Sequence, residues 1–335
     1  MWTLRCLIAL VSGVMMGLLP WLISHNYSSS ITSLPSCLLR RPPASSSVPL
    51  TTSSTSNNTS NEHQSGQYSI EDVLVIMMSC VSLPERREAA LSTWLKYFPN
   101  KVVSSDGLGL MPPFFEVNYS PMEVCQGSDE PNVCLGDYEY GNCFRTMRTL
   151  EMLIAYHRLT PWILLVDDDS FVIPSRLLRH INDKQWDHHQ SMIVGRCNEC
   201  TFRYNQKIKF MCPTGGAGIL FTGAFLDNAM RSLLARAFKE KRPATVGEIS
   251  RVCSNSHGKV DQLISLFAFP ELLGLTYDVP ALVMEDDSFM NSHWPGFNSR
   301  PDQGEATFHL AMRWSEKTVD DVFNYYEHYK HEFES

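Results

Sequence analysis

The chain has 335 residues, a net charge of -8 and 44% hydrophobic residues, enough to bury one large domain or two ordinary ones. The charges are dispersed and no long Lys/Arg run occurs, which argues against nucleic acid as a partner. Ten cysteines, nine of them beyond Cys6, suit an oxidising compartment, and an odd nine leaves at least one thiol unpaired or paired between chains.

Residues 6–24 open the chain as an apolar run without charge from Cys6 to Ile23. Its helical length of about 27 Å is close to the hydrocarbon thickness of a bilayer. Arg5 precedes the run, and the next basic residues are Arg40 and Arg41. This asymmetry predicts a cytosolic tail over residues 1–5, a single transmembrane signal-anchor over 6–24, and a lumenal remainder. A cleaved signal peptide is the alternative, disfavoured by the length of the run and the lack of a small-x-small cleavage site. Residues 25–68 are rich in Ser, Thr, Pro and Asn. They bury too little apolar surface to offset their ordering entropy and read as a disordered, O-glycosylated stem. Asn57, Asn58 and Asn118 begin Asn-x-Ser/Thr sequons.

Residues 69–335 carry the globular pattern. Val73 to Met78 is an unbroken apolar run, as in a strand buried on both faces. Pro84 opens a helix through Arg86, Arg87, Leu91, Trp94 and Leu95, stopped by Pro99, and Lys101 to Ser104 is a second strand before Ser105-Asp106-Gly107. Such a βαβ start predicts a parallel sheet with its ligand crevice at the carboxyl ends of the strands. A loop with Cys125, Cys134 and Cys143 precedes an amphipathic helix marked by Met147, Leu150, Ile154 and His157 and closed by Pro161.

Trp162 to Val166 is a buried strand that ends in Asp167-Asp168-Asp169. Three adjacent carboxylates repel one another and are costly there unless a cation or solvent compensates. A solvated acidic turn is the plain alternative, and the apolar residues on both sides weigh against it. Hard carboxylate oxygens suit Mg²⁺ or Mn²⁺, which also hold nucleotide phosphates and stabilise a departing diphosphate. Gly215-Gly216-Ala217-Gly218 exposes backbone amides and admits close approach of a ligand, although a simple loop is the default for such a turn. Asp261 starts the apolar helical run Leu263, Ile264 and Phe267, where an N-cap is the ordinary role. His293 is one of eleven histidines, for which a surface or packed position is the ordinary reading.

Taken in order, these features resemble the fringe-type β-1,3-glycosyltransferases, with a related resemblance to the core 1 β-1,3-galactosyltransferases. The resemblance runs from Asp72 to Arg313 through the Arg86 helix, Ser105-Asp106-Gly107, the Asp triplet, the Gly-Gly-Ala-Gly turn, Val260-Asp261, Leu272-Leu273-Gly274 and Ser292-His293. It implies an α/β, GT-A-type fold with a doubly wound mixed sheet, Mn²⁺ as cofactor, and a UDP-sugar donor. It further implies a protein-linked glycan as acceptor and a Golgi membrane location with single-pass type II topology. Residue by residue, Asp169 and His293 would hold the metal, and Asp168, Arg86, Asp106, Gly215 and Gly216 would bind the donor. Arg87 is less favoured than Arg86, and Asp261 would be the catalytic base.

Several positions depart from the family pattern. Val260 stands where it has an acid, Ser265 where it has Gly, and Leu164 and Leu220 where it has cysteines. The resemblance also places a bridge between Cys134 and Cys143. Cys197, Cys200, Cys212 and Cys253 should form one or two more, which the compartment favours over a shared zinc. The expected activity is inverting transfer of GlcNAc or galactose. The alternatives are a core 1-like galactosyltransferase acting on O-GalNAc proteins and a non-catalytic lumenal binding protein that keeps the fold.

Overall fold

The computed structural model describes residues 67–79, 83–105, 114–116, 138–155, 160–202, 205–213, 215–254, 259–267, 282–285, 290–291, 304–310 and 317–334. All of them belong to one compact unit, Leu39–Ser335. The anchor, the stem up to residue 66 with its sequons, Asn118, Asp106, Cys125, Cys134 and His293 lie outside the described residues. Among those described, no helix is long and apolar enough to cross a membrane.

The protein is a mixed α/β structure with a mainly parallel central sheet. Strands β1 (Val73–Met78), β2 (Lys101–Ser105) and β3 (Phe114–Glu116) run parallel, joined between β1 and β2 by helix α1 (Pro84–Ser92). Helix α2 (Tyr138–Ala155) then leads to β4 (Trp162–Asp167), which pairs parallel to β1 on its other side. Beyond the short β5 (Ser170–Val172) and α3 (Pro174–Asp183) come β6 (Met192–Gly195), the hairpin β7 (Cys197–Phe202) and β8 (Asn205–Pro213), and β9 (Ile219–Thr222). Helices α4 (Gly223–Leu233), α5 (Ala235–Glu240), α6 (Val246–Ser254) and α7 (Val260–Leu266) follow. The chain then runs through β10 (Leu282–Glu285), β11 (Met290–Asn291) and β12 (Thr307–His309) to α8 (Lys317–Phe333). The main sheet has the order β10-β6-β9-β4-β1-β2-β3, and β9 alone in it runs antiparallel to its neighbours.

Period-two side chains explain why the central strands are apolar without interruption. Leu74, Ile76 and Met78 of β1, with Ile163 and Leu165 of β4, point into one core. Residues of α2, α4, α6 and α7 cover that face. Val73, Val75 and Met77, with Trp162, Leu164 and Val166, point into the other core, covered by residues of α1, α3 and α8. A strand buried on both faces has no polar side to show, so its sequence does not alternate.

The disulfides correct one expectation. Cys143 bonds Cys253, which ties α2 to α6, and does not bond Cys134. Both sulfurs sit in the helical core at 0% exposure, a contact between helices 110 residues apart that a short-loop pattern does not reveal. Cys200 bonds Cys212 across the β7–β8 hairpin, as one of the bridges expected among that group.

Candidate active site

The parallel strands end in one row. Met78 lies in register with both Ser104 and Asp167, so Ser79, Ser105 and the Asp triplet emerge at the same carboxyl-terminal edge of the sheet. Asp167 is the last residue of β4, and Asp168 and Asp169 form the turn into β5. Ser79 Oγ donates to Asp168 Oδ2 at 2.9 Å. Arg86, buried in α1, places Nη1 3.7 Å from Asp168 and 3.5 Å from Asp169. Arg87 on the same helix instead pairs with Glu88.

Positive charge near the triplet falls short of its need. Burial, then the neighbouring Asp169 charge, pushes Asp168 up to about 6 despite Ser79, Arg86 and Arg145. Burial and the charges of Asp169 and Asp168 push Asp167 up to about 8. Asp169 Oδ1 is buried with no hydrogen-bond partner. A buried carboxylate oxygen without a close hydrogen bond, beside two reluctant acids, matches the donor set of a divalent cation with hard oxygen ligands.

A histidine that the sequence did not single out completes this set. β12 pairs antiparallel with β5, and His309 falls opposite Ser170. Leu310 N donates to Asp169 O at 2.8 Å, which fixes the register just past the triplet. His309 Nε2 consequently lies 3.5 Å from Asp169 Oδ1. Burial lowers the imidazole pKa, but the Asp169 and Asp167 carboxylates outweigh it and the net shift is upward.

The Gly-rich segment is a 3-10 turn, Gly215–Ala217, closed by Gly218 N donating to Gly215 O at 2.8 Å. Gly218 has φ +99, a conformation that glycine adopts without strain. Gly216 presses on His309, and a Cβ there would come within 2.6 Å of the ring. Its carbonyl accepts from Ser170 Oγ at 2.9 Å. Gly215 faces Asp261, whose Cβ would lie 3.2 Å from an added Cβ.

Asp261 occupies the first turn of α7 and does not cap it, since Lys259 holds the N-cap position. Its carboxylate accepts from Gln262 N at 2.8 Å. Burial raises its pKa against the opposing pull of amides from Gln262 and Gly215. One cavity of about 300 Å³ lies between the end of β4, the glycine turn and the start of α7, lined by Asp167, Gly215, Gly216 and Asp261 together with Asn142 and Thr146 of α2. At the end of β2, Ser105 Oγ is buried without a hydrogen-bond partner, beside the segment where Asp106 was expected to meet the nucleoside.

The structure therefore brings together Arg86, Asp168, Asp169, Gly215, Gly216 and Asp261 of the expected site. His309 also stands beside Asp169, and His293, the metal ligand expected from the sequence, lies outside the described residues.

The model of the Fringe-like family matches residues 135–272, which span the triplet, the glycine turn and Asp261. The match supports a fringe-type glycosyltransferase. No curated protein matches the sequence. A solved structure described as "a glycosyltransferase involved in the glycosylation of the major capsid of PBCV-1" is similar at 10% identity, with 75% of this chain and 99% of that chain covered and a TM-score of 0.39. Among the described residues, Asp187, His188 and His189 form a group able to hold a metal elsewhere in the fold.

Proposed function

We propose that this Fringe-like chain is an inverting β-1,3-glycosyltransferase of GT-A type, anchored in the Golgi membrane with its catalytic domain in the lumen. It moves GlcNAc or galactose from a UDP-sugar to a glycan on a protein acceptor and depends on Mn²⁺. The observation that carries this reading is the convergence on one cavity of Asp167, Gly215, Gly216 and Asp261 from three separate segments.

Asp169 and His309 are the residues that would hold Mn²⁺, which when bound would supply Lewis-acid stabilisation for a departing diphosphate. Asp168, held by Ser79 and Arg86, is positioned for the donor sugar or the outer shell of the metal. Arg86 offers its guanidinium to the donor phosphates, and Gly215 and Gly216 leave room for the sugar beside them. Asp261 takes the proton of the acceptor hydroxyl as that oxygen attacks the anomeric carbon. Its raised pKa makes it a better proton acceptor than an exposed aspartate, and the amides of Gln262 and Gly215 oppose that rise. Aspartates committed to the cation cannot serve as base, because their charge faces the leaving group.

The test is UDP release from UDP-GlcNAc and UDP-galactose by the full-length chain, in Mn²⁺ and in EDTA. Asp261→Asn should reduce turnover about 10²- to 10⁴-fold while Mn²⁺-dependent UDP binding persists. Equal turnover in EDTA and Mn²⁺, or near-normal turnover by the variant, refutes the reading.

A further inference from the structure

A cluster of metal-binding side chains stands at the other end of the sheet from the active site. Asp187, His188 and His189 follow α3 and precede β6, and one ligand atom from each lies within 4.8 Å of the others. Their location follows from the strands. Thr222, which sits in register with Trp162 at the start of β4, accepts from Met192 N and donates to Gln190 O. Tyr68 meets both Trp162 and His188 edge-on. The acidic triplet is at the far end of β4, about 17 Å away along a six-residue strand.

The local structure holds the three side chains together. Asp187 Oδ1 accepts from His189 N at 2.9 Å, which folds the segment back and brings the two imidazoles to 3.9 Å between centroids. Tyr68 Oη lies 2.9 Å from His188 Nδ1 and accepts from His188 N at 3.3 Å. One ring nitrogen of His188 is thus oriented by a hydroxyl and Nε2 remains for a ligand, the arrangement common at metal-bound histidines. Tyr68 is itself fixed by a reciprocal pair with Asn182, at 2.8 and 3.1 Å. His188 is half-buried. Two imidazoles held in contact offer nitrogen ligands that suit a soft or borderline cation.

We infer that Asp187, His188 and His189 form a second metal site, for Zn²⁺ or a similar borderline divalent ion, which ties the entry of the globular domain at Tyr68 to the α3–β6 connection. Three protein ligands with water in the fourth position satisfy the tetrahedral preference of zinc. Ligands about 2.0–2.1 Å from a zinc ion are separated by roughly 3.3 Å. Small rotamer changes bring the present atoms from within 4.8 Å to that spacing. Two nitrogens and a single carboxylate do not suit Mg²⁺ or Ca²⁺, and this separates the site from the oxygen-rich triplet. The inference does not rest on glycosyl transfer.

The experiment uses the full-length chain and zinc chloride. In Asp169→Ala protein, which removes a central ligand of the catalytic cluster, calorimetry should still detect a Zn²⁺ site. Adding His188→Gln and His189→Gln to that protein should weaken it by tenfold or more. Equal Zn²⁺ affinity with and without the histidine changes overturns the inference, as does loss of all Zn²⁺ binding on Asp169→Ala alone. Thermal denaturation gives an independent reading: Zn²⁺ should raise the Tm of the Asp169→Ala chain and leave that of the Asp169→Ala/His188→Gln/His189→Gln chain unchanged. An equal rise in both refutes the site.

Discussion

Gly216→Ala tests the contact on which the proposed metal set depends. A Cβ at this position would lie 2.6 Å from His309 Cε1, 2.7 Å from Nδ1 and 2.8 Å from Nε2. Ordinary contact begins near ~3.5 Å, so the ring or the turn must yield by ~0.9 Å. Overpacking of this kind costs about 1–3 kcal/mol in stability. The chemical effect is larger, because a displacement near 1 Å in a catalytic group can cost about 10²-fold in rate. His309 Nε2 stands only 3.5 Å from Asp169 Oδ1, and its displacement separates the two proposed ligands. Mn²⁺ affinity, followed by the electron paramagnetic resonance of the free ion, should fall by about 10- to 100-fold, and UDP release should fall with it. The same substitution in a His309→Ala background should have little further effect, since no ring remains to be displaced. Unchanged Mn²⁺ affinity in Gly216→Ala, or an equal loss in both backgrounds, refutes the reasoning.

Cys143→Ala should destabilise the domain by about 2–5 kcal/mol, because its bond to Cys253 closes a separation of 110 residues. Urea denaturation of the oxidised protein measures this, and a loss below 1 kcal/mol would show that the bond adds little. A pH-dependent case is Glu248, which Arg242 and then the Thr245 amide hold at about 2, below its ordinary 4.5. A depressed carboxyl contributes stability above its unfolded value and loses it as pH falls from 4.5 towards 2. Both side chains remain partly in water, at 30% and 19% exposure, so the contribution is about 0.2–1 kcal/mol. Between pH 5 and pH 3 the unaltered protein should therefore lose more stability than Glu248→Gln, and parallel losses would contradict the assignment.

Features written in contiguous residues were legible before the structure. The apolar runs of β1 and β4, the triplet at the end of β4, the glycine turn and the start of α7 each stand within a few residues of their stated places. Each is announced by local pattern, since burial on both faces demands an unbroken apolar run and a tight turn demands glycine. What was hidden depends on distant pairing. His309 belongs to a three-residue strand whose only distinction is its register with β5, about 140 residues earlier. Thr307-Phe308-His309 carries no signal that separates it from His293 in Phe289-Met290-Asn291-Ser292-His293. The Cys143–Cys253 bond was obscured in the same way, because two helices distant in sequence bring the thiols together. At the start of α7, local pattern left both a cap and a catalytic role open for Asp261, and the structure gives the N-cap position to Lys259.

The reversed strand β9 governs where the protein can vary. Because it opposes β4 and β6, its amino end lies at the rim where those two strands finish. The chain leaves β6 at that rim, makes the β7–β8 excursion, and returns to the glycine turn without crossing the sheet. Cys200–Cys212 staples the excursion within itself, and β8 rests on the helix that carries Asp261. Residues can be added, deleted or exchanged at its tip while every strand of the main sheet keeps its register. A single change of strand direction thus leaves the β7–β8 hairpin outside the register of the main sheet, on the path that leads into the glycine turn.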